Sequence, residues 1–333
     1  MLHCPNRKES LVRSLLFSML IVACSHSVMY GQATPAAGNS KGIRFNRQVK
    51  QRWRIGVSVY ANSNVANFKA TLPVPTSWPE QDVRVVNKEA TNHVGRVEYR
   101  ELDGAKQMVV TIPRINTMQT ASAYITLDIT RRMNAGPQDT SVFVIPKKVP
   151  RDMAKYLTDS PYIEVRNSKI RKLAQDAVMG KDTAWEKVEA IYDWVRENVE
   201  YEFDKEIKST LVALRTGKGD CEELSSLFVA MCRANKIPAR CVWVPKHTYP
   251  EFYLEDDEGN GHWIPCQAAG DRQFGDMFEP RPILQKGDNF RVPEHRKPQR
   301  YVSEHAGARA VQGADPTVTF ERILVEHQDP EDL

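Results

Sequence analysis

GKGDCEELSSLFVAMCRANKIPARCVWVPKHTYPEF, residues 217–252, decides how this chain is read. Leu224, Leu227, Phe228 and Met231 recur at i, i+3, i+4 and i+7, the buried face of a 3.6-residue repeat, and predict a helix. Asp220 is its N-cap, and Gly219 lets the chain turn sharply into it. Cys221 then falls in the first turn, on the flank of the apolar stripe. A cysteine nucleophile acts as the thiolate, so its free pKa of about 8.5 must be lowered. The N–H groups of a helix start and a neighbouring imidazolium both do this. Asp220, Glu222 and Glu223 work against it, because carboxylates beside a thiolate raise its pKa. The helix end is therefore insufficient by itself, and a cationic histidine is needed to tip the balance.

Three strands are predicted after the helix: IPARCVWVP behind a Pro-marked break, the alternating TYPEFYLED, and HWIPCQA beyond the turn-rich EDDEGNG. His247, Tyr249, Glu251 and Tyr253 share one face of the second strand, and Trp263, Pro265 and Gln267 share one face of the third. A hairpin closing through Gly259 to Gly261 makes His247 and Gln267 neighbours.

These residues resemble the transglutaminase-like superfamily, a branch of the papain-like cysteine enzymes. The resemblance rests on four blocks in the family's order: GDCEELSSLF at 219–228, RANKIPAR at 233–240, HTYPE at 247–251 and WIPCQ at 263–267. It covers about residues 150–300, with helices at 168–200 as the lead-in. It implies that Cys221 is the nucleophile and His247 the general base. The family's third residue is usually Asp, whereas Gln267 stands at that place here. A Gln carbonyl can accept an imidazole N–H and hold the tautomer without supplying charge. Papain-type sites use a neutral amide in this role. Asp271, four residues on, is the alternative if the strand ends early. Taken singly, a cysteine heading an apolar helix or a histidine at a strand edge is an ordinary structural residue. Their conjunction with Ile-Pro-Ala-Arg and Trp-x-Pro carries the functional reading.

The chain has 333 residues, room for two modest domains, and a formal charge of +4. Arg7, Lys8 and Arg13 against Glu9 supply half of that charge, which leaves too little for nucleic acid or an anionic membrane surface as partner. The same basic lead precedes the apolar run LLFSMLIVA at 15–23, too short to span a bilayer. Residues 1–33 read as an export signal released after Ala33, so the protein is expected to be periplasmic or secreted. The rival reading is a lipobox ending at Cys24. Residues 34–44 read as a disordered tether. No later segment is apolar enough to cross a membrane. Cys232 reads as a core residue, and Cys241 and Cys266 could pair only if their strands bring them together. No Cys-x-x-Cys or His-x-x-x-His spacing supports a metal, and no cofactor is expected.

Residues 45–148 read as short strands: IGVSVY, with Ile55, Val57 and Val59 alternating, then FKATLPVP, VRVV, VGRVEYREL, QMVVTIPRI and AYITLDITR. Asp103-Gly104 is a hairpin signal, and strands at this spacing predict a small β-sandwich. Its histidine, His93, has no acid or thiol at motif spacing. VIPKKVPRDM at 144–153 marks the boundary to a core over 149–303, and residues 304–333 read as a tail with TVTFERILVE as a possible last strand. Within the core, Ile170, Leu173, Ala174, Ala177 and Val178 line one helix, and a Thr183–Glu186 capping box opens the next. Trp185 and Trp194 at helical spacing read as packing residues. After Gly275 a Pro-rich, charged stretch is expected to wrap the core in extended form.

The expected fold is therefore α+β: a papain-like transglutaminase core, its nucleophile helix packed on an antiparallel sheet, preceded by an all-β sandwich-like domain. The expected function is acyl transfer on a peptide or carboxamide through a thioester at Cys221, resolved by water as in a protease or amidase, with a peptide or protein as substrate. A non-catalytic peptide- or protein-binding module is the alternative, supported by Gln267 in place of Asp.

Overall fold

Along β1 (Phe45–Tyr60), Val49, Gln51, Trp53, Ile55, Val57 and Val59 turn inward, and Arg52 and Arg54 lie on the other face. This is the period of two of a half-buried strand. The computed structural model describes residues 42–310 and 313–328. β2 (Val65–Val74), β3 (Gln81–Ala90), β4 (Arg96–Leu102), β5 (Ala105–Ile115) and β6 (Thr120–Ala135) follow β1. β1 and β3 flank β6 in one antiparallel sheet, and β2 and β4 pair with β5 in a second. Ile55, Val57 and Leu127 of the first sheet share an apolar core with Phe68, Leu72, Met108 and Ile112 of the second. This is the expected sandwich. Asp103-Gly104 turns β4 into β5, with Leu102 opposite Ala105 and Gly104 at φ +88°. The export signal, its cleavage at Ala33, lipidation at Cys24 and nearly all of the tether fall outside the described residues.

The helical part begins with α1 (Ser168–Ala177), capped by Asn167, and α2 (Ala184–Asn198), capped by the reciprocal Thr183–Glu186 box. β7 (Glu200–Tyr201), α3 (Thr210–Thr216), β8 (Lys218–Gly219) and α4 (Cys221–Ala234) complete it. Trp185 packs against Phe143, Phe252 and Phe274, which makes it a core residue. The apolar stripe of α4 understates its burial: every residue from Glu223 to Arg233 is inside. α1, α2, α3 and three strands surround it. Polar members survive there because each has a partner. Ser226 Oγ donates to the Glu222 carbonyl at 2.6 Å, and Arg233 forks onto Asp288 at 2.8 and 2.9 Å.

β9 (Ala239–Val244), β10 (His247–Glu255), β11 (Gly261–Gln267) and β12 (Gln273–Phe274) form the antiparallel sheet beside α4. Beyond Gly275 the chain does run extended, through β13 (Asp276–Met277) and β14 (Gln285–Lys286). β14 pairs with β9 on one side and with β5 on the other, so the core sheet continues into the second sheet of the sandwich. β13 adds to β6. The stretch from residue 304 contributes β15 (His305–Ala310), paired with β2, and β16 (Thr317–Gln328), paired with β1. Among the described residues, no helix is long and apolar enough to cross a membrane.

Candidate active site

Cys221 owes its place to the turn before it. β7 and β8 run parallel, Tyr201 beside Gly219, and the Glu202 N–H donates to the Gly219 carbonyl at 2.8 Å. A Cβ on Gly219 would lie 2.4 Å from the Glu223 Cβ, so the position admits glycine alone without a shift. The Asp220 carboxylate then accepts the Glu222 N–H at 2.8 Å and the Glu223 N–H. The Glu223 carboxylate reaches back to the Asp220 N–H at 3.0 Å and also takes the Lys208 N–H at 2.7 Å. The result is a complete capping box in which carboxylates already occupy donors at the head of the helix. Only Asp220 of this pair was expected as a cap; the Glu223 half was readable from the Asp-x-x-Glu spacing.

The electrostatic consequence differs from expectation. Burial pushes the Cys221 thiol up to about 11, and the nearby Asp220, Glu222 and Glu223 add to it, while a backbone hydrogen bond from Thr248 pulls the other way. Burial also pushes the Glu222 carboxyl up to about 7, against the pull of Arg300, with Asp220 and Glu223 raising it further. His247 shifts down, first through burial and then through the Arg281 guanidinium, with the Gln267 hydrogen bond opposing. Both shifts favour the uncharged forms, thiol and imidazole, over thiolate and imidazolium.

His247 opens β10 directly after a tight turn in which Lys246 has φ +61°, with Val244 as its partner on β9. Glu251 pairs with Pro265 across the β10–β11 hairpin, which sets Gln267 diagonally from His247. The imidazole Nε2 lies 2.9 Å from Gln267 Oε1. The carbonyl oxygen accepts the Nε2–H, leaving Nδ1 as the basic nitrogen. Gln267 is itself held from behind: its backbone carbonyl accepts from Tyr192 Oη at 2.8 Å and Arg196 Nη1 at 3.1 Å on α2. Asp271 lies beyond the strand end and is exposed, and the hydrogen bond falls to Gln267.

Cys221 and His247 both line one cleft of about 590 Å³, whose walls reach Trp243 on β9, Tyr301, and Pro73 and Arg322 of the sandwich sheets. Glu251 and Arg240 lie behind it. The Arg240 guanidinium meets Glu251 at 2.9 Å and stacks 3.9 Å over the Trp263 ring, a structural ion pair between β9 and β10. Lys286, invisible to motif reading, donates to Glu251 at 2.7 Å and to Glu80 of β3's approach, all three side chains being largely buried. Sequence reasoning also missed Arg281 and Arg300, which lie far along the chain without any motif. Cys232, Cys241 and Cys266 are buried free thiols, and among the described residues no three His, Cys, Asp or Glu side chains gather as metal ligands.

Comparison with known proteins agrees with this geometry. Residues 171–268 match the family model of the transglutaminase-like superfamily. A solved structure from Cytophaga hutchinsonii, described as a candidate cysteine protease, superposes with a TM-score of 0.56 at 17% identity, covering 85% of this chain and 93% of that one. At that identity the likeness speaks for the fold. The periplasmic domain of TgpA from Pseudomonas aeruginosa aligns at a TM-score of 0.35 and 12% identity, over 68% of this chain and 90% of that one, too weak a likeness to carry an argument. An uncharacterized protein of Haemophilus influenzae is 26% identical over 180 residues, 51% of this chain. The match spans about half (47%) of that relative's length. Residues 171–268 thus form a transglutaminase-like core, the part of the chain that the family model matches.

Proposed function

We propose that this protein is a cysteine-dependent acyl-transfer enzyme, hydrolytic in its main activity, with Cys221 as nucleophile, His247 as general base and Gln267 as the residue that orients the imidazole. The observation that carries the reading is the imidazole held through Nε2 by Gln267 at 2.9 Å while facing the same cleft as Cys221. Cys221 Sγ attacks the carbonyl carbon of a peptide or carboxamide as its proton passes to Nδ1. The C–N bond breaks, the amine leaves with that proton, and water cleaves the thioester to regenerate the thiol. Because both shifts favour the neutral forms, proton transfer accompanies attack, a general-base role that contributes on the order of 10²–10⁴-fold. The basic lead and apolar run before residue 34 support a site of action outside the cytoplasm.

The test is the pH dependence of iodoacetamide alkylation at Cys221, read by mass spectrometry, in the wild type and in His247→Ala. The expected result is alkylation at pH 7 at least about tenfold faster in the wild type, with an inflection set by the imidazole. Equal rates in both proteins, rising only in the alkaline range, would replace this reading by the second one. That second reading, a non-catalytic peptide-binding module, draws on the thiol pushed up to about 11 and on the uncharged Gln267.

A further inference from the structure

Two large aromatic side chains stand in water at the mouth of the cleft: Tyr201 is 57% exposed and Phe203 is 70% exposed. Both line the same cavity as Cys221 and His247. Exposed aromatics are common on loose loops, but this backbone is tied down. Glu200 and Glu202 donate from their N–H groups to the carbonyls of Gly217 and Gly219, each at 2.8 Å. Lys218 bridges to Glu202 at 2.6 Å, and the far end of the segment is held where the Lys208 N–H meets Glu223. Tyr201 is close enough to the nucleophile for Cys221 to contribute, after burial, to the upward shift of its phenol. Ordering these rings on a fixed backbone leaves apolar surface uncovered, which is stabilised when another apolar group covers it.

Other aromatic residues of the lining supply the complement. Trp243 on β9 and Tyr301 pack against each other, ring centroids 5.0 Å apart, and both face the cavity with Leu284 and Val302. The charges around the cleft nearly balance: Lys205, Lys246 and Arg322 face Asp204, Asp220, Glu222 and Glu304, and Arg322 is already paired with Glu304. Neither a polyanion nor a strongly cationic chain is selected by such a lining. A volume of about 590 Å³ suits a short length of peptide.

We infer that Tyr201 and Phe203 form the specificity lip of the cleft, which takes an extended peptide bearing a bulky apolar side chain, aromatic by preference, next to the carbonyl that Cys221 attacks. This inference rests on the proposed role of Cys221 as nucleophile. Tyr201 on β7 and Phe203 beyond it carry the lip, and Trp243 on β9 with Tyr301 lines the same cavity.

Peptidyl chloromethyl ketones test it: the Cys221 sulfur displaces chloride to form a thioether, and the thiol proton leaves through His247. Second-order rates are measured by mass spectrometry for a benzyloxycarbonyl-glycyl-phenylalanyl reagent and its glycyl-glycyl counterpart, in the wild type, in Tyr201→Ala/Phe203→Ala and in His247→Ala. The expected result is a phenylalanyl preference of about tenfold or more in the wild type, falling toward unity in the double variant. Rates that depend on His247 but show no preference, or a preference the double variant keeps, would overturn the lip and leave the nucleophile standing. Rates indifferent to His247 would overturn the nucleophile, and the lip with it.

Discussion

His247 and Gln267, twenty residues apart in sequence, meet at 2.9 Å through Nε2 and Oε1, and it is an amide oxygen, not a carboxylate, that accepts the imidazole N–H hydrogen bond. The hydrogen bond selects the tautomer, and Gln267 itself brings no negative charge to the protonated ring; the nearby Arg281 and Glu279 pull in opposite directions. Burial then keeps the imidazole pKa below its ordinary value.

Exchanging that amide for a carboxylate should therefore move the pH profile. In Gln267→Glu the new charge favours imidazolium, so the His247 pKa rises and the acid limb of Cys221 alkylation shifts to higher pH. In Gln267→Ala the ring loses its anchor, and alkylation at pH 7 should drop about 10–100-fold, less than the loss of the whole general-base contribution of about 10²–10⁴-fold. A profile unmoved in both variants would mean that Gln267 does not orient the base.

Glu222 makes stability depend on pH. Its folded pKa, about 7, lies above the ordinary carboxylate value, so the folded state favours the protonated form. The stability this contributes is fully present below about pH 4.5 and is lost as pH rises through about 7. Urea unfolding at pH 5 and pH 8 should show a larger loss in the wild type than in Glu222→Gln. An equal loss in both would point to another group.

Lys286 joins two buried carboxylates, Glu251 of β10 and Glu80 of the sandwich region. In Lys286→Met both lose a cation that burial makes hard to replace. The expected destabilisation is about 3–5 kcal/mol, seen as a lower denaturant midpoint. Adding Glu80→Gln and Glu251→Gln to that variant should recover part of it. If it recovers none, the loss comes from packing of the lysine stem instead of charge.

Gly219→Ala places a methyl group against the Glu223 Cβ, at a separation no real pair of atoms shows. Relief requires opening the Asp220–Glu223 box, at about 1–2 kcal/mol for a lost cap. The same movement displaces Cys221, so both the melting temperature and the alkylation rate should fall. A normal rate in a destabilised protein would separate the cap from the nucleophile.

Local chemistry is what the sequence by itself determined. The helix at 221–234, the strands at 239–267, the Thr183–Glu186 box and the Asp103-Gly104 turn follow from periodicity and capping rules that act over a few residues, and all are found. The proximity of His247 and Gln267 was also legible, because a hairpin register of known turn length fixes which residues face each other. What tertiary structure decided is everything set by burial and by distant partners. β14 welding the core sheet to the sandwich, β15 and β16 returning to β2 and β1, and Arg281, Lys286 and Arg300 arriving near the site are long-range events with no local signal. The protonation state of Cys221 belongs with them. Spacing can put a thiol at a helix start, but its pKa depends on how much water the fold removes and which carboxylates it leaves nearby. Desolvation is a property of the packed molecule, not of any segment.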